Sequence, residues 1–194
     1  MIKMRRLLIS MFVIGFLCAC NEDYIPKPRG YFRIDLPTKS YRTFDSTGFP
    51  YRFDYPTTAS IFPDKGRVTE PYWINLVVPE LKATIYLSYK SLKNEKISAL
   101  LEDSHALLYK QSAKAESIEE SAISIPDRKI YGLLFDVGGN AASPVQFYIT
   151  DSTNHFLRGA LYFYTVPNKD SLAPVKAYMR EDILKLIDSF HWKK

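Results

Sequence analysis

Val145-Gln146-Phe147-Tyr148-Ile149-Thr150-Asp151-Ser152-Thr153-Asn154-His155-Phe156-Leu157-Arg158-Gly159-Ala160-Leu161-Tyr162-Phe163 is the stretch that decides the fold. Val145, Phe147 and Ile149 alternate with Gln146, Tyr148 and Thr150, which is the two-residue period of a strand. Asp151 to Asn154 is a run of turn formers. His155 to Val166 reads as the next strand, with Leu157, Leu161 and Phe163 on one face. The connection is too short for a parallel crossover, so the two strands form an antiparallel hairpin.

The same pattern extends upstream. Ala122 to Ile125 and Lys129 to Val137 are candidate strands, and Gly138-Gly139-Asn140 is a turn signal. Tyr51, Phe53 and Tyr55 alternate with Arg52 and Asp54. Tyr72 to Val78 is an apolar run ended by Pro79. In Ala83 to Tyr89, Ala83, Ile85, Leu87 and Tyr89 share a face. Helical spacing occurs twice. From about Glu95 to Gln111 the stripe is Ile97, Leu100, Leu101, Leu107 and Leu108, with Asn94 or a neighbour as cap. From near Ser171, with Pro174 in the first turn, it is Val175, Met179, Ile183, Leu186, Ile187 and Phe190. The expected class is α+β: a mainly antiparallel sheet packed with two amphipathic helices. The element order resembles the Mog1/PsbP-like sandwich, an analogy of fold alone.

The N-terminus has another character. Lys3, Arg5 and Arg6 precede the apolar run Leu7 to Leu17, and small residues follow, as in a secretory signal. The run is shorter than the roughly 20 residues that span a bilayer. Leu17-Cys18-Ala19-Cys20 resembles a bacterial lipobox, in which the peptide is cut before the cysteine. The cysteine, here Cys20, then carries diacylglycerol and an N-acyl chain such as palmitate. The expected organisation is a lipoprotein signal peptide at 1–19, a lipidated proline-rich tether at 20–40 and a single globular domain at 41–194. The tether also holds a candidate edge strand, Tyr31 to Leu36, stopped by Pro37.

Of 194 residues, 26 are basic and 21 acidic. The signal removes three basic residues, leaving 23 against 21, so no cationic surface suggests nucleic acid as a partner. Cys18 and Cys20 are the only cysteines. The domain therefore has no disulfide, thiolate metal site or cysteine nucleophile. A domain of this length does not need a disulfide, and fourteen tyrosines and twelve phenylalanines supply much of its core.

Catalytic signals are absent from the linear sequence. His105, His155 and His191 have no partner at metal-ligand spacing and read as surface or packing residues. No serine lies in a nucleophile elbow. Gly138-Gly139-Asn140 lacks the lysine of a phosphate loop. Asp35, Asp54 and Asp64 fall on or beside different strands, and Glu119-Glu120 reads as a solvated loop. The expectation is a protein that is not an enzyme and carries no cofactor or metal.

Tyr24-Ile25-Pro26-Lys27-Pro28-Arg29-Gly30-Tyr31-Phe32-Arg33-Ile34-Asp35-Leu36-Pro37 interleaves aromatics, prolines and cations beside the anchor. Composition alone favours an extended tether. Arginine and tyrosine also favour interface hot spots, which makes Arg29, Tyr31, Phe32 and Arg33 the candidate partner-binding residues. This string behind the lipobox, with Pro71-Tyr72-Trp73-Ile74-Asn75-Leu76 and the C-terminal amphipathic helix, resembles the GldD gliding-motility lipoproteins of Bacteroidetes. The resemblance implies a cell-envelope lipoprotein needed for gliding and the associated type IX secretion, with no catalytic residues to transfer. It favours docking by the string.

The expected role is an accessory or scaffold component, bound to the membrane by lipid and to other gliding or secretion envelope proteins. The expected location is the outer membrane facing the periplasm, and Asn21-Glu22-Asp23 keeps cell-surface exposure open. The rival readings are an envelope lipid- or glycan-binding module and a cryptic envelope hydrolase.

Overall fold

The computed structural model describes residues 34–93 and 95–193. In chain order the elements are β1 (Tyr41–Phe44), β2 (Tyr51–Pro56), β3 (Ser60–Pro63), β4 (Ile74–Val78), β5 (Ala83–Ser91), α1 (Ile97–Gln111), β6 (Ala115–Ile125), β7 (Ile130–Gly139), β8 (Val145–Thr150), β9 (His155–Phe163), α2 (Lys169–Ser189) and β10 (His191–Trp192). Short 3-10 turns lie at Pro79–Leu81 and Pro126–Arg128. This is the expected α+β class. A seven-stranded sheet has the order β3-β4-β5-β9-β8-β7-β6, and a three-stranded sheet has the order β1-β2-β10. Every pairing is antiparallel.

The deciding hairpin forms as expected, with Val145 opposite Leu161 and Thr150 opposite Phe156. β9 returns to pair with β5, from Ala83 opposite Phe163 to Ser91 opposite His155. That pairing joins the β3-β4-β5 meander to the β6-β9 meander. The two-residue alternation separates two cores here instead of core from water. Val145, Phe147 and Ile149 belong to the larger core, beneath α2 and the small sheet. Tyr148 and Phe156 belong to a smaller core with Leu100 and Leu108 of α1. All six residues of β8 are therefore buried, which suits a central strand covered on both faces. Gly159 has a steric reason: a Cβ there would stand 2.1 Å from the Phe147 ring.

Aromatic rings bind the small sheet to α2. Phe53 stacks parallel on Phe190 at 6.2 Å, and Phe190 meets Trp192 edge-on at 4.7 Å. Val175, Met179, Ile183, Leu186, Ile187 and Phe190 are all buried, as their spacing predicts.

Several sequence expectations are corrected. α2 begins at Lys169, not near Ser171, because the Asn168 side chain accepts the Ser171 N–H and caps the helix. Pro174 then falls inside the helix. Gly138 and Gly139 end strand β7, Gly139 with φ +80°, so the turn lies after them. Glu119 and Glu120 are exposed positions of edge strand β6, not loop residues. Charge on an edge strand opposes pairing with other chains. β4 starts at Ile74, since Tyr72 lies in a turn. α1 starts at Ile97; the suggested cap Asn94 lies outside the described residues, and Lys96 occupies the cap position without a side-chain bond. β1 and β3 were not expected. Ile34 to Leu36 carry no regular structure, and Tyr31 to Arg33 lie outside the described residues.

Candidate functional site

Cys20, Arg29, Tyr31, Phe32 and Arg33 lie outside the described residues. Of the histidines, His105 sits on α1, edge-on to Phe135 at 5.6 Å. His155 and His191 are brought to one cleft of about 440 Å³, with Trp192 between strand β9 and the C-terminus. Asp54 and Asp64 are engaged locally. Asp54 accepts from the Thr43 hydroxyl at 2.7 Å, and Asp64 from the Asn75 amide at 3.1 Å. Among the described residues, no group of three histidine, cysteine or acidic side chains gathers to hold a metal ion. Among them, too, no helix is long and apolar enough to cross a membrane.

A second cleft, of about 560 Å³, shares Asn154, His155 and Lys193 with the first. Residues 48–50 and Lys193 line part of it, and three further places in the chain build the remaining walls. The β8-β9 turn supplies Asn154 and His155. Asp151 Oδ1 accepts the backbone N–H groups of Thr153, Asn154 and His155 at 2.8–3.0 Å, which fixes this turn. Burial pushes the Asp151 carboxyl up, but those three donors hold it below its ordinary value. β5 supplies Tyr89, whose hydroxyl shares a 2.7 Å hydrogen bond with His155 Nδ1. Burial raises the Tyr89 phenol and lowers the His155 imidazole. The other side of the imidazole lies nearly flat on Trp192, 5.0 Å away and tilted by 13°.

The third wall is the turn before β4. Trp73 N–H donates to the Glu70 carbonyl at 3.3 Å, which makes Pro71 and Tyr72 the central residues of a β-turn. Tyr72 has φ +70°, a left-handed conformation that suits glycine and is unusual for a bulky side chain. The neighbours hold it there. The Tyr51 hydroxyl donates to the Tyr72 carbonyl at 2.5 Å, and the Trp73 indole N–H donates to the Tyr89 carbonyl at 2.6 Å. The Tyr72 ring meets Phe49 and Tyr89 edge-on at 5.4 and 5.6 Å, yet the residue stays 39% exposed at the cleft. Sequence reasoning missed this site, and Pro71 at the leading turn position was its one local sign.

A further cleft, of about 450 Å³, runs between the first turns of α2 and the β6-β7 end of the sheet. Its floor is apolar, with Leu172, Ala173 and Phe163. Its cations are engaged: Arg180 with Asp136 at 2.8 Å, Lys169 with Glu116 at 2.7 Å, and Lys176 with the Val137 carbonyl at 2.9 Å. This cleft is braced by its own ion pairs, whereas the aromatic cleft is braced by ring contacts and leaves Tyr72 39% exposed.

A sequence model of the family described as gliding motility lipoprotein GldD matches residues 21–192. No curated protein matches the chain. Among solved structures, the chain is similar to cyanobacterial PsbP from Synechocystis sp., at 16% identity and a TM-score of 0.49, covering 81% of this chain and 95% of that one. It is also similar to the Ran-binding protein Mog1p of Saccharomyces cerevisiae, at 8% identity and a TM-score of 0.48, covering 80% of this chain and 96% of that one.

Proposed function

The chain belongs to the gliding motility lipoprotein GldD family, and from that membership we propose a non-enzymatic, lipid-anchored accessory or scaffold component of the gliding and type IX secretion machinery. The observation that carries this reading is the extent of the match. It begins at residue 21, directly behind Cys20, and ends at 192, which supports reading tether and domain as one unit.

In this reading Cys20 carries the acyl chains and holds the protein on the outer membrane facing the periplasm. Residues 20–40 set its reach, and residues 41–194 act as the globular domain. Tethering raises the local concentration of partners on the same membrane. Arg29, Tyr31, Phe32 and Arg33 dock a gliding or secretion envelope protein. The described end of the tether supports a mechanical link. Lys39 Nζ donates to the Tyr178 carbonyl at 2.8 Å and to Asp182 Oδ1 at 2.9 Å, and lies 4.1 Å from the Tyr178 ring. A pull on the tether is thus delivered to α2, the helix that organises the larger core.

Membrane fractionation of a Cys20→Ser variant tests the anchor, since two or more acyl chains hold a protein stably where one is marginal. The variant is expected to be folded but released, or left as uncut precursor. Processing and membrane binding like those of the parent would overturn the assignment.

A further inference from the structure

Among the features that the scaffold role does not use, the aromatic cleft is the one most fully built. A tyrosine occupies a backbone position that glycine would fill without strain. Such outliers are strained and cluster where side chains are held for binding or catalysis. Two hydrogen bonds fix the turn, from the Tyr51 hydroxyl and the Trp73 indole, and both are donated by aromatic side chains. What this arrangement gains is an exposed tyrosine ring at the mouth of a cleft of about 560 Å³. Beside it stand the Tyr89–His155 pair, bonded to each other, and Asn154, which brings an amide to the cleft.

The charge at the rim selects among occupants. Lys193 is neutralised by Asp45 at 2.6 Å. The Asp151 Oδ1 oxygen is turned onto its own turn by three backbone donors. Lys93 is exposed at the cleft, and no carboxylate among the described residues pairs with it. An aromatic face, a hydrogen-bonding wall and one uncompensated ammonium complement a ring with an apolar C–H face, several hydroxyls and one acidic group.

We propose that this cleft binds an acidic sugar, a pyranose bearing a carboxylate or phosphate, with its ring against Tyr72, its hydroxyls toward Asn154 and the Tyr89–His155 pair, and its anion at Lys93. The proposal stands on the cleft alone and is independent of the scaffold role. It gives the domain a ligand of its own, apart from the anchor proposed at Cys20.

The strain supplies the test. In a folded protein whose Tyr72 ring only cements the turn, Tyr72→Gly loses packing and stability. In one whose Tyr72 is held for a ligand, glycine relieves the left-handed backbone, so the melting temperature holds or rises while binding is lost. The full-length lipidated protein in detergent is titrated with trigalacturonate, with glucose 6-phosphate and with neutral maltotriose, reading the fluorescence of Trp73 and Trp192. Trigalacturonate or the sugar phosphate is expected to bind, and the arm that responds identifies the acid. Maltotriose should bind about tenfold or more weakly, as the loss of one charge-assisted contact implies.

Tyr72→Gly, and Tyr72→Asn as a second residue that tolerates this backbone, should each weaken binding about tenfold without lowering the melting temperature. Lys93→Gln should weaken the acidic sugar and leave maltotriose unchanged. No response to either acidic sugar at millimolar concentration would overturn the proposal. So would unchanged binding by both Tyr72 variants, a large loss of stability in both, or equal binding of a polyglutamate peptide.

Discussion

The two helices cover opposite faces of one sheet by different means. α2 is capped by Asn168 and buries Val175, Tyr178, Met179, Asp182, Ile183, Leu186 and Ile187. It is tied to the sheet by the Arg180–Asp136 pair, and to the segment before β1 by Lys39 and to β1 itself by Tyr41, both bonded to Asp182. α1 has no side-chain cap and buries only Leu100, Ser104 and Leu108. Beneath its last turn lies a polar layer, where Arg158 donates to Gln146 at 2.6 Å and to Gln111 at 3.4 Å. Burial lowers the Arg158 pKa, opposed by the smaller effect of the Tyr162 phenol. The difference teaches that a helix in a protein owes its stability to what its apolar face meets more than to its own propensity. α2 is part of the main core, and α1 is a cover laid over a strand layer that is partly polar.

The sharpest way to break this comparison is to empty each core in turn. Phe190→Ala removes a fully buried ring stacked on Phe53 and should cost about 3–5 kcal/mol in denaturant unfolding. Leu108→Ala beneath α1 should cost less, about 2–3 kcal/mol. An equal or reversed order would show that α1 carries as much of the fold as α2.

Next in size is the anchor of α2. Asp182 is 1% exposed, and its Oδ2 has no partner among the described groups. Lys39→Met leaves that carboxylate with the Tyr41 hydroxyl at 2.8 Å. Removing one member of a buried pair is costly, but Lys39 is itself partly exposed, so the expected loss is about 2 kcal/mol. Adding Asp182→Asn should recover most of it, and a double variant no better than the single would contradict the pairing.

Smaller effects separate the helix ends. Asn168→Ala should cost about 1 kcal/mol, and Lys96→Asp, which gives α1 the cap it lacks, should gain about 0.5–1 kcal/mol, both read from the unfolding midpoint. The smallest effect is a pH dependence on the α2 side. Burial depresses the folded His155 pKa. Its contribution is therefore fully present above the unfolded value of about 6.5 and is lost as pH falls through the lower folded value. His155→Gln should flatten that part of the stability–pH curve, and an unchanged slope would place the sensitivity elsewhere.

The sequence announced what periodicity can announce. The β8-β9 hairpin and the buried face of α2 are long, regular patterns, and both formed as expected. β1 and β3 are four-residue strands at sheet edges with no clean alternation of burial, so no pattern marked them. Pro174 pointed to a helix start, but Asn168 set it, because a satisfied N–H outweighs a tolerated proline. The aromatic cleft was illegible for another reason. Tyr72, Tyr89 and His155 meet only because β5 pairs with β9, and a left-handed backbone at Tyr72 is a tertiary outcome that Pro71 merely permits. His155, expected to be a surface or packing residue, does pack on Trp192, and it also lines both clefts.

The central claim is that a family lipoprotein docks envelope partners through the segment behind its anchor. The most direct measurement is partner recovery, by mass spectrometry, after affinity capture of the full lipidated protein from its own membranes, with residues 24–33 intact or replaced by a Gly/Ser linker of equal length. The account predicts unchanged lipidation and melting, loss of the gliding or secretion partners, and impaired gliding. Equal partner recovery and equal gliding from the replaced protein would reduce the segment to a spacer and contradict the claim.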